Sequence, residues 1–133
     1  MDHPHITNVL DLLEDGDKIY MVMELIKNGN LMEVLDKISR ANLPFTEKDA
    51  SNFVHHILLG LNYLHSMSVV HRDLKLENVM VDVQMGQDKI PELVCKLTDF
   101  GFATHIEQDQ TATQNLGTRI YMAPEIFSKE GYS

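Results

Sequence analysis

From Thr46 onward, Ala50, Phe53, Val54, Ile57, Leu58, Leu61 and Leu64 recur at helical spacing and fall on one face of a helix. Such a stripe is a core face, so the rest of the chain must supply the surface that buries it. Thr46-x-x-Asp49 marks the start, because a threonine hydroxyl there can bond the free amides of the first turn. His55, His56 and His65 accompany the helix. Without cysteines or carboxylates at metal-ligand spacing, they read as surface or packing residues.

The sequence around this helix predicts a mixed, α+β chain without repeats. Thr7 to Leu13 and Lys18 to Leu25 are short apolar runs separated by Glu14-Asp15-Gly16-Asp17, a hairpin signal for two antiparallel strands. Asn28-Gly29 ends the second strand. Apolar residues at 31, 32, 34, 35 and 38 suit a short amphipathic helix over Leu31 to Ile38. Further on, Val79-Met80-Val81 and Val94 to Leu97 predict a second strand pair. Asp82 to Glu92, with Gly86 and Pro91 inside it, predicts a long exposed loop. Phe102 to Leu116 is polar and lacks periodicity, which suits a mobile segment between two anchors.

Composition narrows the function classes. The 133 residues give room for one ordinary domain, with 44% hydrophobic and 23% charged residues. A formal charge of −9 argues against general binding to nucleic acid or anionic membranes, both of which need a basic face. The single cysteine, Cys95, excludes an intrachain disulfide, and its apolar setting reads as core. No apolar run reaches the roughly eighteen residues of a membrane span, and no signal peptide precedes the first elements. A cytoplasmic location is the default, with the nucleus open.

Chemistry concentrates in three short motifs: His71-Arg72-Asp73-Leu74-Lys75-Leu76-Glu77-Asn78, then Asp99-Phe100-Gly101, then Ala123-Pro124-Glu125. One such triplet arises by chance. Three in fixed order resemble the catalytic loop, metal-binding loop and activation-segment end of eukaryotic protein kinases. Phosphoryl transfer needs an aimed nucleophile and neutralised phosphate charge. The resemblance implies that Asp73 accepts the proton of the substrate hydroxyl and that Lys75 reaches the transferred phosphate. Asn78 and Asp99 would offer magnesium the oxygen ligands it prefers. Lys75, with Gly117-Thr118 ahead of Tyr121-Met122-Ala123-Pro124-Glu125, resembles the serine/threonine type. Thr118 would bond Asp73 and Lys75, and with Met122 seat a protein substrate.

The same alignment places ATP against Met23, Glu24, Ile26, Asn30, Glu77, Met80 and Thr98. Met23 gates the back of the adenine pocket, Glu24-Leu25-Ile26 forms the hinge, and Met80 lies on the apolar floor. Asn30 stands where many kinases carry an acidic ribose ligand. Val9, His71 and Phe100 match residues that stack between the lobes of active kinases. Arg72 implies control by phosphorylation, with Thr111 and Thr113 as candidate sites, Thr113 foremost, since a phosphate adds charge and acceptors for a guanidinium. Gln114 stands where a threonine is common, and Arg119 where proline often follows Gly-Thr. Leu76 in place of proline, the run Val94 to Ala103 and the terminal Gly131-Tyr132-Ser133 resemble the calcium/calmodulin-dependent kinase group.

The implied architecture is a kinase-like fold cut short: the end of the small lobe and hinge start over 1–25, then the large-lobe portion over 26–133. The glycine-rich loop and its partner lysine would lie before His3-Pro4-His5-Ile6. The 133 residues alone are therefore expected to be poorly stable and inactive, the more so because an isolated hairpin is marginal in water. The competing expectation is a non-catalytic interaction or decoy fragment.

Overall fold

A computed structural model describes residues 2–85, 89, 91–106 and 116–127. The first hairpin pairs β1 (Val9–Asp15) with β2 (Lys18–Met23), in register from Asp15 opposite Lys18 to Val9 opposite Met23. Gly16 and Asp17 alone turn the chain. Gly16 sits at φ +58°, the left-handed conformation that a glycine adopts without steric cost. A bulge at Leu10 shifts the register near the hairpin base, where the Glu24 N–H donates to the Asn8 carbonyl at 3.0 Å.

Helix α1 (Leu31–Arg40) extends two residues past the predicted run. Asn30 caps it, its side-chain oxygen accepting from the Glu33 N–H at 2.9 Å. Helix α2 (Glu47–Ser66) starts on a full capping box. The Thr46 hydroxyl accepts from the Asp49 N–H at 3.2 Å, and the Asp49 carboxylate accepts from the Thr46 N–H at 2.8 Å. Two residues of β3 (Val69–Val70) follow. Strands β4 (Val79–Met85) and β5 (Pro91–Leu97) pair along their whole length, and β6 (Thr104–His105) pairs antiparallel with β3.

The core gathers where α1 and α2 cover the β4–β5 pair. Ile6, Leu31, Phe53, Leu64, Val79, Val81, Cys95 and Leu97 are its buried members. The segment ahead of β1 is sewn in beside β5: Leu97 N–H donates to the His5 carbonyl and Thr7 N–H to the Leu97 carbonyl, both at 2.9 Å. The hairpin β1–β2 contributes nothing to this core. Leu10, Leu12, Leu13, Ile19 and Tyr20 all stand exposed.

Three expectations need correction. The α2 stripe is narrower than its periodicity predicts, because Val54 and Leu58 are 54% and 56% exposed. The buried line runs through Phe53, Gly60 and Leu64 instead, toward β5 and the His5 segment, and no described element covers the flank that holds Val54 and Leu58. The predicted loop from Asp82 to Glu92 is mostly strand: cross-strand pairing carries β4 to Met85, and Pro91 opens β5 at a position where a missing N–H is tolerated. The aperiodic run after Phe102 begins with ladder-paired β6, while residues 107–115 lie outside the described part.

Candidate active site

Directly after β3, the backbone leaves regular structure and is fixed by side chains. His71, 2% exposed, donates from Nε2 to the Thr98 carbonyl at 3.0 Å, because a carbonyl can only accept. That assigns the ring proton to Nε2, and Nδ1 then accepts from the Asp73 N–H at 3.3 Å. Its ring also packs against Phe100, centroids 5.3 Å apart. His71 thus ties the loop carrying Asp73 to the strand end carrying Asp99. Arg72 follows at φ +65° and Asp99 itself sits at φ +61°. Non-glycine residues avoid this region, and such conformations concentrate at functional sites, each costing about 1–3 kcal/mol.

Asp73 is 4% exposed and every described bond to its carboxylate comes from a donor. Oδ2 accepts from Lys75 Nζ at 2.7 Å and from Asn78 Nδ2 at 3.0 Å. Oδ1 accepts from the Thr118 hydroxyl at 2.8 Å, and Lys75 Nζ also donates to the Thr118 oxygen at 3.0 Å. Burial pushes the Asp73 carboxyl up. The bonds from Lys75 and Thr118, the Lys75 charge and the Asn78 bond outweigh it, so the group lies below the usual aspartate value. The Asp73 hydrogen bond in turn raises Lys75 above the usual lysine value, against a smaller effect of burial. At neutral pH the pair is a carboxylate and an ammonium.

Asn78 closes a single 3-10 turn, Leu76–Asn78, and is 5% exposed. Its Nδ2 is spent on Asp73, donating to the carbonyl at 2.9 Å as well as to the carboxylate. The side-chain oxygen is thereby turned away from Asp73. The Thr98 N–H donates to the Asn78 carbonyl at 3.0 Å, which brings Asp99 beside Asn78. Asp99 is exposed, with one carboxylate oxygen accepting from the Gly101 N–H at 3.2 Å. A neutral amide oxygen and an exposed carboxylate form a donor set that suits a hard dication such as magnesium.

The remaining candidates lie around this cluster. Thr118 and Met122 line a hollow of about 240 Å³ together with Asp73 and Arg72. A larger hollow, about 680 Å³, opens between the end of α1, the start of α2 and Pro91–Leu93, away from Asp73. Met23 is exposed at the end of β2, and Ile26 is buried. Asn30 bridges to Met80, which sets those two candidates side by side, although the Asn30 side-chain oxygen already serves as the α1 cap. Glu77 is exposed beside Asn78. Arg72 donates through Nε to the Phe102 carbonyl at 2.5 Å. Thr111 and Thr113 lie outside the described residues.

Two features were not read from the sequence. Lys96, 8% exposed, donates to both carboxylate oxygens of Glu24 at 2.8 Å, and Glu24 also accepts from the Asn8 N–H at 2.7 Å. A lysine inside Leu93 to Leu97 was the available signal, since a buried lysine needs a partner. The second is the tautomer-fixed bridge made by His71. Only the fold brings Thr98 to its ring.

A family model described as a protein kinase domain matches residues 1–133. The chain belongs to the protein kinase family. It is 37% identical over 131 residues to the serine/threonine-protein kinase DCLK1 of Rattus norvegicus, covering 98% of this chain and 28% of that protein. The serine/threonine-protein kinase PLK1 of Xenopus tropicalis is 38% identical over 134 residues, covering 100% and 20%. The calcium/calmodulin-dependent protein kinase cmkA of Emericella nidulans is 37% identical over 133 residues, covering 99% and 30%. The chain thus spans less than a third of the length of these curated relatives.

Proposed function

We propose that the site serves transfer of a phosphoryl group from ATP to a serine or threonine hydroxyl of a protein substrate. The observation that carries this reading is the buried Asp73 carboxylate held ionised by Lys75, Thr118 and Asn78. A buried acid with its proton removed, beside a hollow open to a partner, is equipped to take the proton of an incoming hydroxyl. Lys75 sets a positive charge next to it, where the transferred phosphate would pass. Thr118 bonds both groups and fixes their relation, so that a hydroxyl reaching Asp73 meets Lys75 too.

Asn78 and Asp99 would hold magnesium, which neutralises phosphate charge when bound. The ribose and base sides of the nucleotide fall to Asn30, Met80, Met23, Glu24 and Ile26, with Glu77 and Thr98 flanking the phosphate end. The serine/threonine preference rests on Lys75 and Thr118 and on the names of the relatives. Arg72 is the reader of a phosphate on Thr111 or Thr113. The small-lobe assignment of 1–25 and the large-lobe assignment of 26–133 belong to the same proposal.

Chemistry is tested on the protein as its own cell makes it, by phosphotransfer to serine- and threonine-containing peptides. Asp73→Asn is expected to lower the rate by about 10²- to 10⁴-fold, the usual contribution of a proton acceptor. An unchanged rate overturns the reading. A binding role without turnover has one observation in its favour, the apolar hairpin left uncovered beside the core. Magnesium-independent behaviour of every variant would select it.

A further inference from the structure

Four imidazoles converge where the segment before β1 meets α2. His5 and His56 stack nearly parallel, with centroids 4.4 Å apart and planes at 17°. His3 lies 5.6 Å from His5 and stacks on Tyr63 at 4.8 Å, and His55 lies 6.3 Å from His56. A metal centre is the first thing to exclude. Among the described residues no group of three histidine, cysteine or acidic side chains is placed to hold an ion.

The hydrogen bonds show what the central pair does. His5 Nδ1 lies 3.0 Å from the Cys95 carbonyl, so it carries the proton and donates. His56 Nδ1 lies 3.4 Å from the Cys95 N–H, so it carries a lone pair and accepts. One residue of β5 is thereby gripped on both its backbone groups, by one ring from each flanking element. The fit is close: a Cβ on Gly60 of α2 would stand 2.8 Å from the His5 carbonyl. His5 is 8% exposed.

The His56 bond requires a neutral ring, whereas the His5 bond survives protonation because its donor is already an N–H. A proton added to His56 Nδ1 converts the acceptor into a donor facing a donor. A proton added to His5 Nε2 sets a cation against the face of His56. We propose that His56, stacked on His5, is an acid-sensitive latch, which fastens α2 to Cys95 beside residues 2–6 while its ring is neutral and lets go when its Nδ1 is protonated. Cys95 adjoins Lys96, the partner of Glu24, so release acts next to the strap between β5 and the base of the hairpin.

The surrounding charges favour this state. Burial lowers His5 most. The Cys95 bond opposes that, while His3, His55 and Lys96 lower it further. Burial likewise lowers His56 most, His5 and His55 add to it, and Glu92 opposes. A histidine whose folded value is lowered binds more protons unfolded. Stability is then full above the unfolded value, near 6.5, and falls as pH drops below it toward the folded values.

The test is urea unfolding of the 133-residue chain from about pH 8 to pH 5, the range in which histidine changes charge, beside the double variant His5→Asn/His56→Asn. Asparagine can donate to or accept from Cys95 but does not titrate in this range. The unaltered chain is expected to lose midpoint urea concentration as pH falls, and the variant to lose less. Parallel profiles overturn the latch. Should the variant fail to fold, NMR titration of the imidazoles in the unaltered chain decides. His56 is expected to titrate below the ordinary histidine value of 6.5, and His56 titrating at or above that value overturns the proposal. None of these readouts involves nucleotide, so failure of the latch and failure of the phosphotransfer reading are separate events.

Discussion

Asp73 sets the residue scale, because its depressed pKa turns a hydrogen-bond list into a pH profile. A carboxylate whose folded value lies below the unfolded 3.8 contributes stability above that value and loses it as pH falls through the folded one. NMR titration of the Asp73 carboxyl should therefore place it below the ordinary value of 3.8, and Lys75→Met should move it up by removing the strongest depressing bond. No movement would mean that the Lys75 contact is absent in solution. Gly117 gives a steric counterpart. At φ +115°, with the Arg72 carbonyl oxygen where a Cβ would go, Gly117→Ala is expected to destabilise the chain by more than about 1 kcal/mol in denaturant unfolding. Asp73, Lys75, Asn78, Asp99 and Thr118 were legible as candidates because each stands in a motif of fixed spacing. The bonds of Lys96 and of His5 and His56 were not. Their partners lie 72, 90 and 39 positions away, and no local pattern encodes such pairings.

At the level of elements, local signals coincide with the structure. Thr46 and Asp49 make the predicted cap within one turn, and the Gly16 turn is a two-residue event. Elements whose limits depend on partners depart from their local signals. Periodicity placed Leu58 and Leu64 on one stripe, but burial is decided by what packs against the helix, and only Leu64 meets the β4–β5 layer. Leu64→Ala should accordingly cost about 2–5 kcal/mol. Leu58→Ala should stay within about 0.5 kcal/mol. Equal losses in urea unfolding would show that the α2 face is covered more widely than the fold indicates. The strand extension to Met85 also depends on a partner: polar Asp82 and Gln84 are held in β4 because they pair with Val94 and Glu92 of the returning strand β5.

At the scale of the molecule, a two-helix layer over β4–β5 holds the Asp73 loop and the Asp99 turn in fixed relation through His71, Thr98 and Asn78. The hairpin hangs beside this body by the Glu24–Lys96 ion pair and the backbone bonds at its base. That division explains why the chemistry survives as geometry while the apolar hairpin stands exposed. It also sets the pair of oxygen donors Asn78 and Asp99 next to an ionised Asp73. A magnesium–ATP titration of the 133-residue chain followed by NMR, beside Asp99→Asn, tests whether this donor pair holds magnesium. Magnesium-dependent shifts centred on Asn78 and Asp99 are expected, and they vanish in the variant. Nucleotide binding indifferent to both magnesium and Asp99 would contradict that role.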